Sequence, residues 1–284
     1  MQANQGRVVG GPQRLTMDAA DDFRPSVSSD GKKLVFGSSR SGNWDVWIRD
    51  MDTGKETALT ATPWDETHAK ITPDGSKVTY GVRETQKVSI YVVAASGGMA
   101  EKVCEDCGLP LDWSPDGQKI LFYWGEPVRY TAIDPASRQR HDVIHHPKHT
   151  IHRALYSPDG KWLAFHIPME PRRSVVFIAP LHDGVAAAEK DWISVTEGSG
   201  SDAHPWWSPD GNLLYFLSER DGFLCVWKQR LDPATKRPVG AASDFYHFHG
   251  ARRSVNALFG GAMTRDRLFF SMVETTGNIW MTRP

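Results

Sequence analysis

Six residues ahead of a recurring turn aspartate, the chain carries Arg24, His68, Pro110, Arg153 and His204. Eight residues ahead of the same aspartates stand Asp22, Glu66, Gly108, Ile151 and Asp202. A guanidinium presents a planar fork matched to carboxylate or phosphate. Imidazole titrates near neutrality and ligates metals. If each position opens the innermost strand of a repeated unit, four cationic or titratable side chains converge on one opening, with acids close by. Such a polar funnel is a binding site. The candidate ligand-binding residues are therefore Arg24, His68, Arg153, His204, Asp22, Glu66 and Asp202. The same acids also suit bracing of a neighbouring loop, and the same Arg and His suit satisfaction of backbone carbonyls. Trp64, Trp124 and Trp206 are candidates for an aromatic rim, or for packing between sheets.

Other residues with chemical capacity are less coherent. Histidines gather at His141, His145, His146, His149 and His152, with His247 and His249 further on. They fall in loops and lack a matching carboxylate pattern, so no metal site is assigned. Cys104 and Cys107 form one Cys-x-x-Cys, which supplies two ligands at most; a local disulfide is the simpler reading. Cys225 lies beside Trp227 in an apolar strand and reads as packing. No Gly-x-Ser-x-Gly elbow is present, which removes the hydrolase reading. No catalytic residue and no cofactor are expected.

The elements that must position these residues are read from the turn itself. Ser28-Ser29-Asp30-Gly31, Thr72-Pro73-Asp74-Gly75, Ser114-Pro115-Asp116-Gly117, Ser157-Pro158-Asp159-Gly160 and Ser208-Pro209-Asp210-Gly211 recur with Asp spacings of 44, 42, 43 and 51. A tandem period of this length marks a repeat architecture. Pro presets φ, Asp bonds its own backbone, and Gly accepts φ > 0, so each is a hairpin turn. Phe36, Tyr80, Phe122, Phe165 and Phe216 all fall six residues after the Asp, in short apolar runs that read as strands. Third strands follow at Trp47, Tyr91, Tyr130, Phe177 and Trp227, and fourth strands near Thr60, Val103 and Thr196.

Four antiparallel strands with two apolar faces need a neighbour on each face. Radial packing supplies this, and the expected fold is an all-β, six-bladed β-propeller of four-stranded antiparallel blades. The blades are expected at 21–60, 65–104, 108–144, 150–196, 202–240 and 252–284. In the sixth, counting back from Phe270 puts Thr264-Arg265 at the Asp-Gly place, with Leu258 and Asn256 at the mouth positions. Residues 7–16 read as the strand that completes this blade, which would close the ring and remove its open edge. Net charge is −1 over 284 residues, so no nucleic-acid footprint is present. No apolar stretch has membrane-spanning length, and residues 1–11 are too polar for a signal peptide. Few cysteines fit cytoplasm or periplasm equally.

The repeat resembles the TolB-type propeller family over residues 7–284. The first blade carries the resemblance, from Pro25 through Gly31, Ser38-Ser39-Arg40-Ser41-Gly42, Asp45-Val46-Trp47 and Leu59-Thr60. The fifth does so from His204-Pro205-Trp206-Trp207 to Ser218-Glu219-Arg220-Asp221-Gly222 and Trp227. Glu274-Thr275-Thr276-Gly277-Asn278-Ile279-Trp280 resembles the last blade of sensor propellers in bacterial receptor kinases and winged-helix regulators. The resemblance implies a non-enzymatic domain that binds a protein or peptide and forms part of a larger bacterial protein. The alternative it implies is a metal-dependent enzyme of the propeller sugar-lyase type, which needs His68, His152 and His204 to converge. Strict strand alternation sets His152 out of phase with the other two. A third reading is a scaffold assembling through outer blade edges.

Overall fold

The computed structural model describes residues 2–4, 7–9, 11–85, 87–198, 200–248, 253–255 and 261–274. Among these are five antiparallel sheets, four of them four-stranded and one, the fourth along the chain, five-stranded. The first comprises Asp22–Val27, Lys33–Ser38, Asp45–Asp50 and Glu56–Ala58. The innermost strands of the others are Asp65–Ile71, Leu109–Trp113, His152–Tyr156 and Ala203–Trp207. In the four-stranded sheets the strands pair in chain order, so one hairpin leads to the next; in the fourth sheet Arg173–His182 pairs with both Val185–Ala186 and Ile193–Ser194.

The hairpin turns repeat atom by atom. The Ser or Thr hydroxyl donates to the Asp carboxylate at 2.6, 2.6, 2.5, 2.5 and 2.5 Å in the five turns. The turn Gly sits at φ 67–71°, a region open to glycine without strain. Each turn also rests on its predecessor. Gly75 faces Ser28, Gly117 faces Thr72, Gly160 faces Pro115 and Gly211 faces Pro158. Gly31 of the first turn faces Thr264, so the last described turn abuts the first.

Between sheets, the alternating strand faces interdigitate. Ala164, Ile178, Leu214 and Phe216 are fully buried together, and so are Leu121, Leu163 and Phe165. Burial of this kind stabilises by roughly 1.5–3 kcal/mol per large side chain.

Two sequence expectations need correction, and a third is not met in full among the described residues. The sixth turn keeps its chemistry in shorter form: Thr264 Oγ1 donates to Asp266 Oδ1 at 3.0 Å, and Arg267 N donates back to Thr264 at 3.1 Å. The Asp therefore stands four residues before Phe270, and the six-residue count missed it. The strand expected at 7–16 is not found as such. Arg7–Val9 pairs with Gln2–Asn4, and residues 11–16 form no strand. Leu15 nonetheless packs on Leu34, Phe36 and Phe269, between the first sheet and Leu268–Phe270. The count of six complete blades is also not met among the described residues. Gly261–Met263 pairs with Leu268–Phe270, and Arg253–Val255 with Met272–Glu274, as separate two-stranded pairs. Leu258, Asn256 and the Gly277–Trp280 strand lie outside the described residues.

Candidate functional site

A central cavity of ≈ 210 Å³ is lined by the innermost strands of all five sheets and by Gly261–Met263. Each innermost strand runs from one mouth of this channel to the turns at the other. A larger, open hollow of ≈ 410 Å³ lies off-axis under residues 13–18. The functional site is placed in the channel because the five sheets converge there.

At the mouth, the backbone does something alternation does not anticipate. Arg24, His68, Arg153 and His204 all have left-handed φ, at 55, 58, 56 and 53°. Pairing with the second strand slips at each of these places. These are β-bulges, which bend a strand and re-aim a side chain. A non-glycine residue there costs about 1–2 kcal/mol. The same strain four times, at the same place, on residues of one chemical kind points to function. Pro110 holds the position in the third sheet, where its ring forbids positive φ.

The four side chains feel one another. Burial pulls the Arg24 guanidinium down to about 10, and Arg153 adds to the shift. Burial also lowers Arg153, against the opposing effect of Tyr123 and Tyr130. His204 is driven to about 3 by burial, then by Arg153, His152 and Arg24. His68 lies well below its usual value for the same first reason, with Arg24 and Arg153 next. At neutral pH the mouth thus holds two half-buried guanidinium groups and two neutral imidazoles.

The predicted acids are turned elsewhere. Asp202 binds Arg220 at 2.8 Å, and Arg220 stacks on Trp227 at 4.9 Å. Asp22 binds Arg40 at 3.3 Å, and Arg40 stacks on Trp47 at 4.3 Å while also reaching Glu56 and Asp18. The second sheet has Glu84 where these Arg stand. Its acid, Glu66, is bonded by the Thr62 hydroxyl and shares a buried pocket with Asp45. Burial, then the Asp45 carboxyl, pushes Glu66 up to about 7.

His152 is not opposed to His204. His152 and His204 flank His166, with ring centroids 5.4 and 5.2 Å away. The kink at Arg153 breaks the alternation on which the opposite-face reading rested. Even so, the group of three or more metal-type ligands found within 4.8 Å of one another among the described residues is Asp221, Cys225 and His247, not a set at the channel. In the histidine-rich loop, His146 contacts Glu189 at 3.1 Å and accepts from the backbone of Lys148 and His149. Cys104 and Cys107 are joined as a disulfide.

Sequence reasoning missed Lys70 and Asp112, two positions deeper in the channel. Burial lowers Lys70 to about 8 and raises Asp112 to about 6, each opposed by the other's charge. Asp112 also accepts from the backbone of Trp113 at 2.9 Å and Tyr156 at 3.1 Å. Reading four residues before each turn Asp, rather than six and eight, would have exposed both. Trp206, expected at the rim, is buried against Tyr215 and Leu268. Trp64 and Trp124 are exposed, at 43% and 46%. Met169, near the end of its strand, and Phe223, in a turn, are exposed as well, at 49% and 52%.

This geometry defines a β-propeller of four-stranded antiparallel blades. Comparison with known proteins sharpens the class. The chain is 25% identical over 200 residues to the Tol-Pal system protein TolB of Francisella tularensis, a match covering 68% of this chain and 45% of that protein. A TolB-like protein from Agrobacterium tumefaciens superimposes with a TM-score of 0.69 at 18% identity, covering 93% of each chain. The oligogalacturonate lyase solved with manganese superimposes at 0.53 with 12% identity, covering 92% of each chain. No family model matches. The chain is a β-propeller, and it is similar to those of the TolB type. It spans less than half the length of the curated TolB relatives it matches.

Proposed function

We propose that this propeller is a non-enzymatic recognition domain that captures an acidic segment of a protein partner at its cationic mouth. We further propose that six blades close the ring, the sixth formed by residues 252–284 with Leu15 sealing its junction to the first. The observation that carries the functional reading is the fourfold left-handed bulge at Arg24, His68, Arg153 and His204. It re-aims four side chains that sense one another's charge, with Arg153 and His204 lining the channel, at a cost in backbone strain. Around them stand Trp64, Trp124, Met169 and Phe223, an exposed apolar rim of the type that supplies binding hot spots. A carboxylate or phosphate seated between the guanidiniums would offset their mutual repulsion. The curated relatives bear the name of a multi-component system, which accords with a protein partner. Asp22, Glu66 and Asp202 act as braces of the mouth loops.

The test is a titration with a fluorescent peptide rich in Asp and Glu, beside its Asn and Gln counterpart. The acidic peptide should bind, and added salt should weaken it. Arg24→Ala should reduce affinity about 30-fold, as loss of a 2 kcal/mol anchor does. An unchanged Kd removes the site.

The lyase reading has one observation in its favour, the row His152, His166 and His204. His166 Nδ1 faces the His204 amide at 3.4 Å, which engages one ring nitrogen. Metal analysis of protein carrying His166→Ala and His204→Ala decides it: loss of a stoichiometric transition metal would restore the enzyme.

A further inference from the structure

Away from the channel, in the fifth sheet, the turn Asp221–Leu224 brings a second chemistry together. Cys225 begins the third strand, fully buried. His247 follows the fourth strand, Ser243–Tyr246, and Asp221 leads into the third. One ligand atom from each lies within 4.8 Å of the others. We infer that Asp221, Cys225 and His247 form a binding site for a divalent zinc-class ion.

Three features carry this beyond proximity. The donor set is thiol, imidazole and carboxylate, the mixture zinc takes. Oxygen-seeking magnesium or calcium would not select it. His247 is already oriented: Nδ1 lies 2.8 Å from Asp221 Oδ2, and Nε2 lies 3.5 Å from Asp244 Oδ2. With the metal on Nδ1, Nε2–H donates to Asp244, the carboxylate–histidine arrangement that raises ligand basicity. The sulfur is prepared as well, since Phe248 N donates to Cys225 Sγ at 3.4 Å. An N–H aimed at sulfur favours the thiolate, the form that ligates.

The thiolate is the form that ligates, so binding expels the thiol proton. The ion replaces the proton as the positive charge between sulfur and carboxylate. Closing to bonds of about 2.0–2.3 Å needs only small rotations of Asp221 and His247, whose side chains are 23% and 36% exposed. Three protein ligands leave the fourth position to water or to a donor from outside. The loop that carries Asp221 also carries the exposed Phe223, so the ion would stiffen part of the rim.

The experiment is zinc titration of the whole chelator-treated protein, with cobalt as the spectroscopic probe. One equivalent should bind, releasing a proton, and cobalt should show a thiolate charge-transfer band. His247→Gln should weaken zinc by more than about 100-fold, and Asp244→Asn by about 10–100-fold as a residue behind a ligand does. Cys225→Ala should abolish the charge-transfer band. If it unfolds the protein, His247→Gln at a half-exposed position keeps the test alive. His146→Ala should change nothing. Binding unaffected by His247→Gln, or lost with His146→Ala, overturns the assignment. Acidic-peptide binding by the metal-free protein reports on the mouth separately.

Discussion

The two ends of the channel are built from the same five strands and obey opposite rules. At the turn end every unit repeats one solution: hydroxyl to carboxylate, then carboxylate to the next backbone N–H, as in Ser157, Asp159 and Lys161. At the mouth end the left-handed backbone recurs in four of the five sheets while its side chains vary between Arg and His, and Pro110 takes the fifth place. The repeated residues are architecture, and the repeated backbone with varied residues is recognition. A sequence motif thus points most loudly to the end that does the least chemistry.

The sharpest way to break this comparison is Arg153→Ala. It should cost an acidic peptide about 2 kcal/mol of binding, roughly 30-fold. The melting temperature should hold or rise, because Arg24 loses a repelling neighbour. Calorimetric titration beside thermal unfolding separates the two effects, and a fall in stability with intact binding would reverse the roles of the two ends. The complementary change, Asp159→Ala, removes two hydrogen bonds to a charged acceptor. It should cost about 1–2 kcal/mol of stability, lower the melting temperature by a few degrees, about 2–4 °C per kcal/mol, and leave the Kd alone.

A subtler effect is expected at Glu66. Its folded pKa of about 7 lies above the unfolded value near 4.5. The stability it contributes is complete below about pH 4.5 and is lost as pH rises through about 7. Glu66→Gln should therefore raise stability by about 1 kcal/mol at pH 8 and do little at pH 4. Chemical denaturation at the two pH values measures it, and an equal effect at both would remove the buried-carboxyl account. The turn aspartates run the other way. The Thr72 hydroxyl and the Ser76 N–H hold Asp74 at about 2, so their stabilisation is present above about pH 4 and fades towards pH 2. The smallest expected effect is Trp124→Ala at the rim. A two- to threefold loss in peptide affinity, about 0.5 kcal/mol, with unchanged stability would place it in the contact; an unchanged Kd would leave the rim as exposed surface.

The blades were legible because their signals are local. A Ser/Thr-x-Asp-Gly turn and an aromatic six residues after the Asp sit within one hairpin, and the five sheets match that pattern. The channel and its position six residues before each Asp were legible too. What the side chains do there was not. The acids looked like ligands, yet Asp22 and Asp202 are taken by Arg40 and Arg220 from the turn between second and third strands. That pairing spans 18 residues, beyond any local signal. His152 looked misplaced because alternation was assumed, and the bulge at Arg153 suspends alternation. The Lys70 and Asp112 pair was hidden because neither stands at the offset that the arginines made conspicuous. The shortened turn at Thr264 escaped a count that presumed constant length.

The left-handed kinks carry a consequence for how such a mouth can change. The strain at positions 24, 68, 153 and 204 belongs to the backbone, and the surrounding sheet already bears it. Each position is therefore a socket: one side chain can be exchanged for another without rebuilding the wall behind it. Asn, Asp or Gly should seat readily, whereas Val or Ile should not, since branching at Cβ collides with that conformation. The third blade keeps its socket shut with Pro110. A mouth assembled this way can be refitted to a new guest one position at a time, while the ring of turns at the far end stays untouched.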